Sequence, residues 1–199
     1  MNEGLTDAEL VARIRDDPDA LEVLYRRHVR RLVAYATRRC EQPADVADLV
    51  AATFLAVLES APTFDPARGD ALPWIFGIAG RIQSRQRRRQ WRERDALART
   101  SNARNLAADD FSRLEQEIDA TQRSHEVDEV LHHLSFRHRE VLLLVGADNL
   151  SHDEAAVALG LSSGAFRNRL LRARRALRRA LANRTNPTVE STVAQEGTP

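Results

Sequence analysis

The 199-residue chain contains no lysine, a single cysteine and few aromatic residues. Because Cys40 has no partner in the sequence, an intrachain disulfide is excluded. Aromatic residues make up 5% of the chain, which gives little support to an all-β fold. The longest apolar run, 141–147, is too short to cross a bilayer, and the acidic start lacks the apolar core of a signal peptide. We therefore expect a soluble, cytoplasmic, helical protein without membrane insertion.

Charge is balanced over the whole chain but not along it. The 30 basic residues, all arginine, nearly cancel the 29 acidic ones. Arginines nevertheless gather in two segments, 81–94 and 167–184, while all the acidic residues except Glu93 lie elsewhere. Two separated basic segments on an otherwise ordinary surface indicate a protein that contacts nucleic acid at two places.

Residues 150–181 have the pattern of a helix-turn-helix. Ser151 and Glu154 have the spacing of a capping box, Gly160 can leave the first helix with positive φ, and Ser162 can cap the second helix. The small residues Ala156 and Gly160, four apart, predict a close crossing of the two helices. The second helix, Ser163–Leu181, carries the predicted buried stripe: Phe166, Leu170, Leu171, Ala173 and Leu177.

The polar face of this second helix is dominated by arginine. Arginine binds guanine bidentately or grips phosphate, and Asn168 can pair with adenine. An ordinary helical hairpin with a solvated basic face is the alternative for an arginine-rich helix taken alone. The two caps and the small-residue spacing shift the interpretation to DNA binding.

Helical periodicity also fills the first half of the chain. Four segments are predicted: one from Asp7, one from Leu21 to about Arg39 with His28 as a packed core histidine, one after the break at 41–43, and one with Pro73 in its first turn. A loop at 62–70 separates the last two. From about residue 93 the sequence is polar, with a short helix possible at Phe111–Ile118, and a helix capped by Ser135 precedes the helix-turn-helix.

These segments predict an all-α fold made of two small helical domains. The domains span 5–94 and 126–183, a flexible polar linker spans 95–125, and a disordered tail spans 184–199.

Two stretches resemble the extracytoplasmic-function (ECF) branch of the sigma-70 family, the promoter-recognition subunits of bacterial RNA polymerase. ADVADLVAATFLAVLESAPTFDPARGDALPWIFGIAGRIQSRQRRR (44–89) is similar to sigma domain 2, with its FDPARG loop and arginine-tailed helix. LSFRHREVLLLVGADNLSHDEAAVALGLSSGAFRNRLLRARRALRRAL (134–181) is similar to sigma domain 4. Both together, in this order, cover most of 15–95 and 127–181.

The resemblance implies a sigma factor that binds core RNA polymerase, through the β′ clamp and the β subunit, and directs transcription from promoters with −10 and −35 elements. It implies no enzymatic activity, no cofactor and no metal, and an anti-sigma factor as a further partner. The implied −35 contacts are Arg167, Asn168, Arg169, Leu171, Arg172, Arg174 and Arg175. The implied −10 contacts, around a base pocket at 64–72, are Phe64, Asp65, Arg68, Trp74, Arg81, Arg85 and Arg88. The implied polymerase contacts are Asp45, Asp48 and Leu49.

The chain departs from the family pattern on two helices. Ala51-Ala52 stands where the family usually has Gln-Glu on the polymerase face, and Arg81 stands where asparagine is usual. These departures imply a changed polymerase contact and a changed −10 preference. For Trp74, simple core packing is the alternative to a DNA role.

Two other classes of function compete with this interpretation. A one-component transcription factor explains residues 151–181 but leaves the FDPARG loop and the first basic segment without a role. An enzyme built on Asp45 and Asp48, or on Cys40 with the three histidines His132, His133 and His138, lacks any nucleophile–base or metal-ligand spacing of a recognised type.

Overall fold

The computed structural model describes residues 2–100, 129–131 and 133–185, which form helices and connecting turns without a β-strand. Seven helices are labelled here: α1 Asp7–Arg13, α2 Pro18–Thr37, α3 Pro43–Ser60, α4 Ala71–Thr100, α5 Phe136–Gly146, α6 His152–Leu159 and α7 Ser163–Thr185. Two short 3₁₀ turns, Ala61–Thr63 and Pro66–Arg68, join α3 to α4. The predicted all-α class is confirmed.

Several predictions fall on the limits of these ranges. Helix α4 continues to Thr100, so the start of the predicted linker at residue 95 is helical. The predicted helix at Phe111–Ile118, the rest of the linker and the tail from residue 186 lie outside the described residues. No helix within the described ranges combines the length and the apolarity needed to cross a bilayer.

Helix starts in the first half follow local capping chemistry. Thr6, rather than Asp7, caps α1 through a capping box with Glu9. The Thr6 amide donates to the Glu9 carboxylate at 2.7 Å, and this hydrogen bond holds the pKa of Glu9 below its usual range. Asp17 caps α2, where Pro18 occupies a first-turn position that needs no amide donor.

Helices α1 to α4 enclose the first part of the core. The apolar stripes predicted on these helices are mostly buried, including Leu10, Leu24 and Val57, but Tyr25 of the predicted α2 stripe is 43% exposed. Tyr35 and Phe76 stack with ring centroids 4.7 Å apart. His28 is buried, as predicted for a core histidine, and its Nε2 lies 2.5 Å from the Asp7 carboxylate.

Helices α5 to α7 form the predicted helix-turn-helix unit. Ser151 and Glu154 make both hydrogen bonds of the capping box, and Gly160 ends α6 with φ of 62°. The amide of Ala165 donates to Ser162 Oγ at 3.2 Å, which confirms the second cap. The predicted crossing role of Gly160 is wrong, because a Cβ on this residue would meet no atom within 4 Å.

The two helical units pack directly against one another. Helix α4 of the first unit contacts α6 of the second. A Cβ placed on Gly77 would lie 2.9 Å from the carbonyl oxygen of Ala158, so the two helices approach closely at this point. Buried residues of both units belong to one continuous apolar cluster. The sequence predicted the two units but not this contact between them.

Candidate nucleic-acid interface

Helix α7 turns an arginine-rich face to solvent. Phe166, Leu170 and Ala173 are buried and anchor the opposite side of the helix. The predicted stripe also included Leu171, which is instead 45% exposed. Helical spacing places a polar set opposite the buried stripe, and all its members are exposed: Asn168, Arg172, Arg175 and Arg179. This face has the donors needed to contact base edges and phosphates in a major groove.

The remaining predicted positions on α7 flank this face. Arg167 and Arg174 are exposed on one side, next to Leu171. Arg169 is half-buried on the other side, where it lines a cleft of about 480 Å³ with Arg87 and Arg88 of α4. The structure therefore separates Arg169 from the other predicted −35 contacts.

The loop between α3 and α4 is held by its own turn chemistry. Asp65 accepts a hydrogen bond from the Ala67 amide at 3.0 Å and caps the second 3₁₀ turn, so this carboxylate already has a structural role. Gly69 follows with φ of 135°, a conformation that favours glycine. Phe64 and Trp74 are both half-buried and their ring centroids lie 5.0 Å apart. Arg68 remains exposed.

A cavity of about 400 Å³ lies beneath this loop. Phe64 and residues 69–73 form one wall, and α1 and α2 form another with Asp7, His28 and Arg31. Asp7 is held in place by Arg27, whose Nη1 donates to its carboxylate at 2.9 Å. An aromatic ring beside charged and polar groups suits a flat, partly polar ligand such as a nucleobase. The sequence pattern pointed to the loop but not to the α1 and α2 wall.

Beyond the cavity, α4 carries the second basic face. Arg81, Arg85 and Arg88 are exposed and follow one another at spacings of four and three residues, which places them on one side of the helix. The arginine row thus follows the loop and the cavity along α4 and begins ten residues, or about 15 Å, after the start of this helix.

Helix α3 presents a different surface. Asp45 and Asp48 are exposed, as the predicted polymerase contact requires, but Leu49 is 0% exposed and belongs to the core. Leu55, at helical spacing from Asp48, is 65% exposed and lies beside Ala51 and Ala52. Leu55 thus adds an exposed apolar side chain to a face that also carries Asp45 and Asp48.

Comparison with known proteins gives matches at both ends of the chain. Residues 24–93 match the family model for sigma-70 region 2, and residues 124–177 match the model for sigma-70 region 4. The chain is similar to the RNA polymerase sigma factor CarQ of Myxococcus xanthus, with 33% identity over 170 residues that cover 85% of this chain and 94% of CarQ.

The chain belongs to the sigma-70 family.

Another relative and a solved structure agree with this assignment. The RNA polymerase sigma factor NccH of Alcaligenes xylosoxydans xylosoxydans is 32% identical over 178 residues, or 87% of this chain and 94% of NccH. The structure of CnrH in complex with the cytosolic domain of CnrY superimposes with a TM-score of 0.60 and 29% identity, covering 88% of this chain and 97% of CnrH. The protein is an ECF-type sigma factor that binds core RNA polymerase and directs promoter-specific initiation, and it is not an enzyme.

Proposed function

We propose that α7 reads the −35 element and that the α3–α4 loop with α4 reads the −10 element. The supporting observation for α7 is its exposed face of Asn168, Arg172, Arg175 and Arg179, set opposite a buried anchor. Asn168 and Arg172 contact base edges and Leu171 contacts a thymine methyl group, while Arg167, Arg174 and Arg175 contact phosphates. Arg169 contacts DNA either from within the cleft that it lines with Arg87 and Arg88, or only once the two helical units have moved apart.

At the −10 element, an unstacked base of the non-template strand enters the cavity beside Phe64. The cavity volume of about 400 Å³ and its mixed lining support this role. The arginine row Arg81, Arg85 and Arg88 follows the backbone next to it, and Arg68 contributes from the loop. Asp65 acts by shaping the loop, because its carboxylate caps the 3₁₀ turn. Trp74 acts mainly by supporting the Phe64 ring.

Core polymerase contacts the outer face of α3. Asp45 and Asp48 contribute charge, and Leu55 supplies the apolar anchor in place of the buried Leu49. In this scheme residues 5–94 act as sigma domain 2 and residues 126–183 as sigma domain 4, joined through 95–125. The two family-model matches, at 24–93 and 124–177, support this division.

We also infer a cytoplasmic site of action, since bacterial polymerase and promoter DNA are found there. A protein partner of the anti-sigma kind belongs to the same proposal. CnrH is solved in complex with the cytosolic domain of CnrY, which supports such a partner here.

The −35 assignment is tested with Arg172→Ala. We expect a loss of about 1–3 kcal/mol in binding to the matched −35 duplex and a relaxed preference at one base pair, because a bidentate contact is removed. The measurement is a titration of matched and singly substituted duplexes, together with run-off transcription by core polymerase. Arg26→Ala is the control, since Arg26 is an exposed arginine of α2 paired only with Glu22 in the described contacts. Equal weakening on every duplex would make Arg172 a phosphate contact.

A further inference from the structure

A cluster of buried charges joins the two units. The guanidinium of Arg39, just past the end of α2, is 0% exposed. Its Nε donates to Glu140 Oε1 of α5 at 2.9 Å, and its Nη2 donates to Asp148 Oδ2 at 2.8 Å. Both carboxylates belong to the second unit, so each of these ion pairs crosses the boundary between the units.

Two more arginines, one on α2 and one just past its end, also contact Asp148. Arg38 pairs with the same carboxylate, and Arg31 Nη2 donates to the Asp148 carbonyl oxygen at 3.0 Å. Residues of the first unit also hold Arg39 in place. The Arg39 guanidinium lies 3.6 Å from the centroid of the Tyr35 ring, and the Arg39 carbonyl oxygen accepts a hydrogen bond from Gln83 at 2.8 Å. Burial alone would lower the pKa of Arg39, but Tyr35, Glu140 and Asp148 raise it, so the guanidinium stays charged.

The same boundary has a steric requirement on α4. Gly77 faces the backbone of Ala158, and a Cβ there would lie 2.9 Å from a carbonyl oxygen that cannot rotate away. Val157 of α6 lies beside Gly69 of the loop, at 3.7 Å from the position of a Cβ. The close fit thus requires glycine at position 77, whereas a Cβ on Gly69 would make only an ordinary van der Waals contact with Val157.

The charged part of this boundary adds little to the free energy of opening it. Buried ion pairs contribute little net stability, because water would solvate each charge once the units separate. Each ion pair nevertheless joins two specific residues, so the pairs together fix how the two units are aligned. Removing one partner is costly while the units stay closed, since the remaining charge is then buried without compensation.

The closed arrangement does not fit a promoter, on the proposed assignment of the two readers. Elements centred about 25 base pairs apart lie about 85 Å apart along B-form DNA, at about 3.4 Å per base pair. In the closed arrangement α4 packs on α6 and α6 packs on α7. Two successive helix packings of about 10 Å each separate the readers by roughly 20 Å.

We propose that the closed arrangement is an autoinhibited state of the sigma factor, latched by Arg39, Glu140 and Asp148 and by the glycine contact at Gly77. The units separate for both promoter elements to be bound at once. This inference rests on the proposed function of α4 and α7 as promoter readers.

The steric side of the latch is tested with Gly77→Ala, and Gly146→Ala is the matched control. Both glycines are helical, but a Cβ on Gly146 meets nothing within 4 Å. Alanine favours helix over glycine, so neither variant is expected to lose its fold. The distance between the units is followed by energy transfer between dyes on Glu22→Cys and Arg178→Cys in a Cys40→Ser chain. We expect transfer to fall in Gly77→Ala only.

The electrostatic side is tested with Asp148→Asn in the same labelled chain. The side-chain and carbonyl contacts of Asp148 all reach α2 and its end, so the second unit keeps its own core. We expect the ratio of closed to open molecules to fall roughly tenfold or more, because Arg38 and Arg39 both lose a carboxylate partner. Run-off transcription at limiting core polymerase should rise in both variants and remain unchanged in Gly146→Ala.

Each outcome decides one point. Unchanged energy transfer in both Gly77→Ala and Asp148→Asn would overturn the latch. Reduced transfer without a gain in transcription would show an open form that is no more active, and would overturn autoinhibition. Failure of the proposed reader assignment is distinguishable, since Arg172→Ala would then leave binding to the matched −35 duplex unchanged.

Discussion

At the residue scale, two exposed leucines distinguish the proposed polymerase-binding surface from the proposed DNA-binding surface. Leu55 on α3 and Leu171 on α7 are both large, apolar and open to solvent, at 65% and 45% exposure. Leu55→Asp should weaken binding to core polymerase by about 1–3 kcal/mol, because an apolar anchor is lost. Binding of the −35 duplex and thermal stability should stay close to those of the unmodified chain.

Leu171→Asp should have the reverse effect. An added negative charge on the DNA face weakens duplex binding, while polymerase binding is retained. The measurements are polymerase affinity by fluorescence anisotropy and duplex affinity by the same method for each variant. If both variants weakened both interactions, the two leucines would share one surface, in conflict with their positions on different helices.

Phe64 is the residue on which the −10 pocket depends. Phe64→Ala should reduce promoter opening by an amount equivalent to about 1–3 kcal/mol, since an unstacked base loses its stacking partner. A fluorescent base analogue in the −10 element reports the opening, and Phe64→Tyr, which keeps the ring, should restore it. Normal opening in a stably folded Phe64→Ala protein would assign the ring to packing against Trp74 alone.

Residue roles were predicted well where one helix face decides them and poorly where two patterns compete. Leu49 fits both an apolar stripe and a polymerase-contact motif, and the structure places it in the core. Leu171 was assigned to both the buried stripe and the DNA face, and it is exposed. The position around the helix axis explains these results. On α3, Leu49 lies within the buried stripe and Leu55 lies away from it, and on α7, Leu171 lies away from the buried stripe.

At the scale of the element, the helix-turn-helix depends on how α6 ends. Gly160 has φ of 62°, and an L-residue in this conformation costs roughly 1–2 kcal/mol. Gly160→Ala should therefore destabilise the chain by about that amount in chemical denaturation followed by circular dichroism. Gly164→Ala is the matched control, because Gly164 lies within α7 at negative φ and a Cβ there meets no neighbour. Equal stability of the two variants would mean that α6 can end without the left-handed residue.

Element positions were largely predictable because the caps are local. Ser151 with Glu154, and Ser162, act within a few residues of themselves, so the sequence pattern predicts these caps directly. The length of α4 was missed for the opposite reason. Its last turns are polar and carry no apolar stripe, so they resemble a linker by composition, while arginine and alanine have high helix propensity.

At the scale of the whole molecule, packing of the two units could not be predicted from periodicity. Arg39 and Asp148 are 109 positions apart in the sequence. Arg39 lies beside Arg38 and Glu41, and Asp148 lies in a short turn between two helices, so both have the sequence pattern of ordinary surface residues. Gly77 lies inside a helical pattern, where a glycine signals a close approach but not which element approaches. The buried cluster is therefore visible only once the fold is known.

This packing predicts how the chain unfolds. One apolar cluster continues across the boundary and the charge cluster fixes its register, so the unmodified chain should unfold in a single calorimetric transition. Gly77→Ala should split it into two transitions, because the close contact with Ala158 is lost. Gly146→Ala should keep a single transition. A single transition shifted equally in both variants would show that the two units do not depend on this contact for cooperative unfolding.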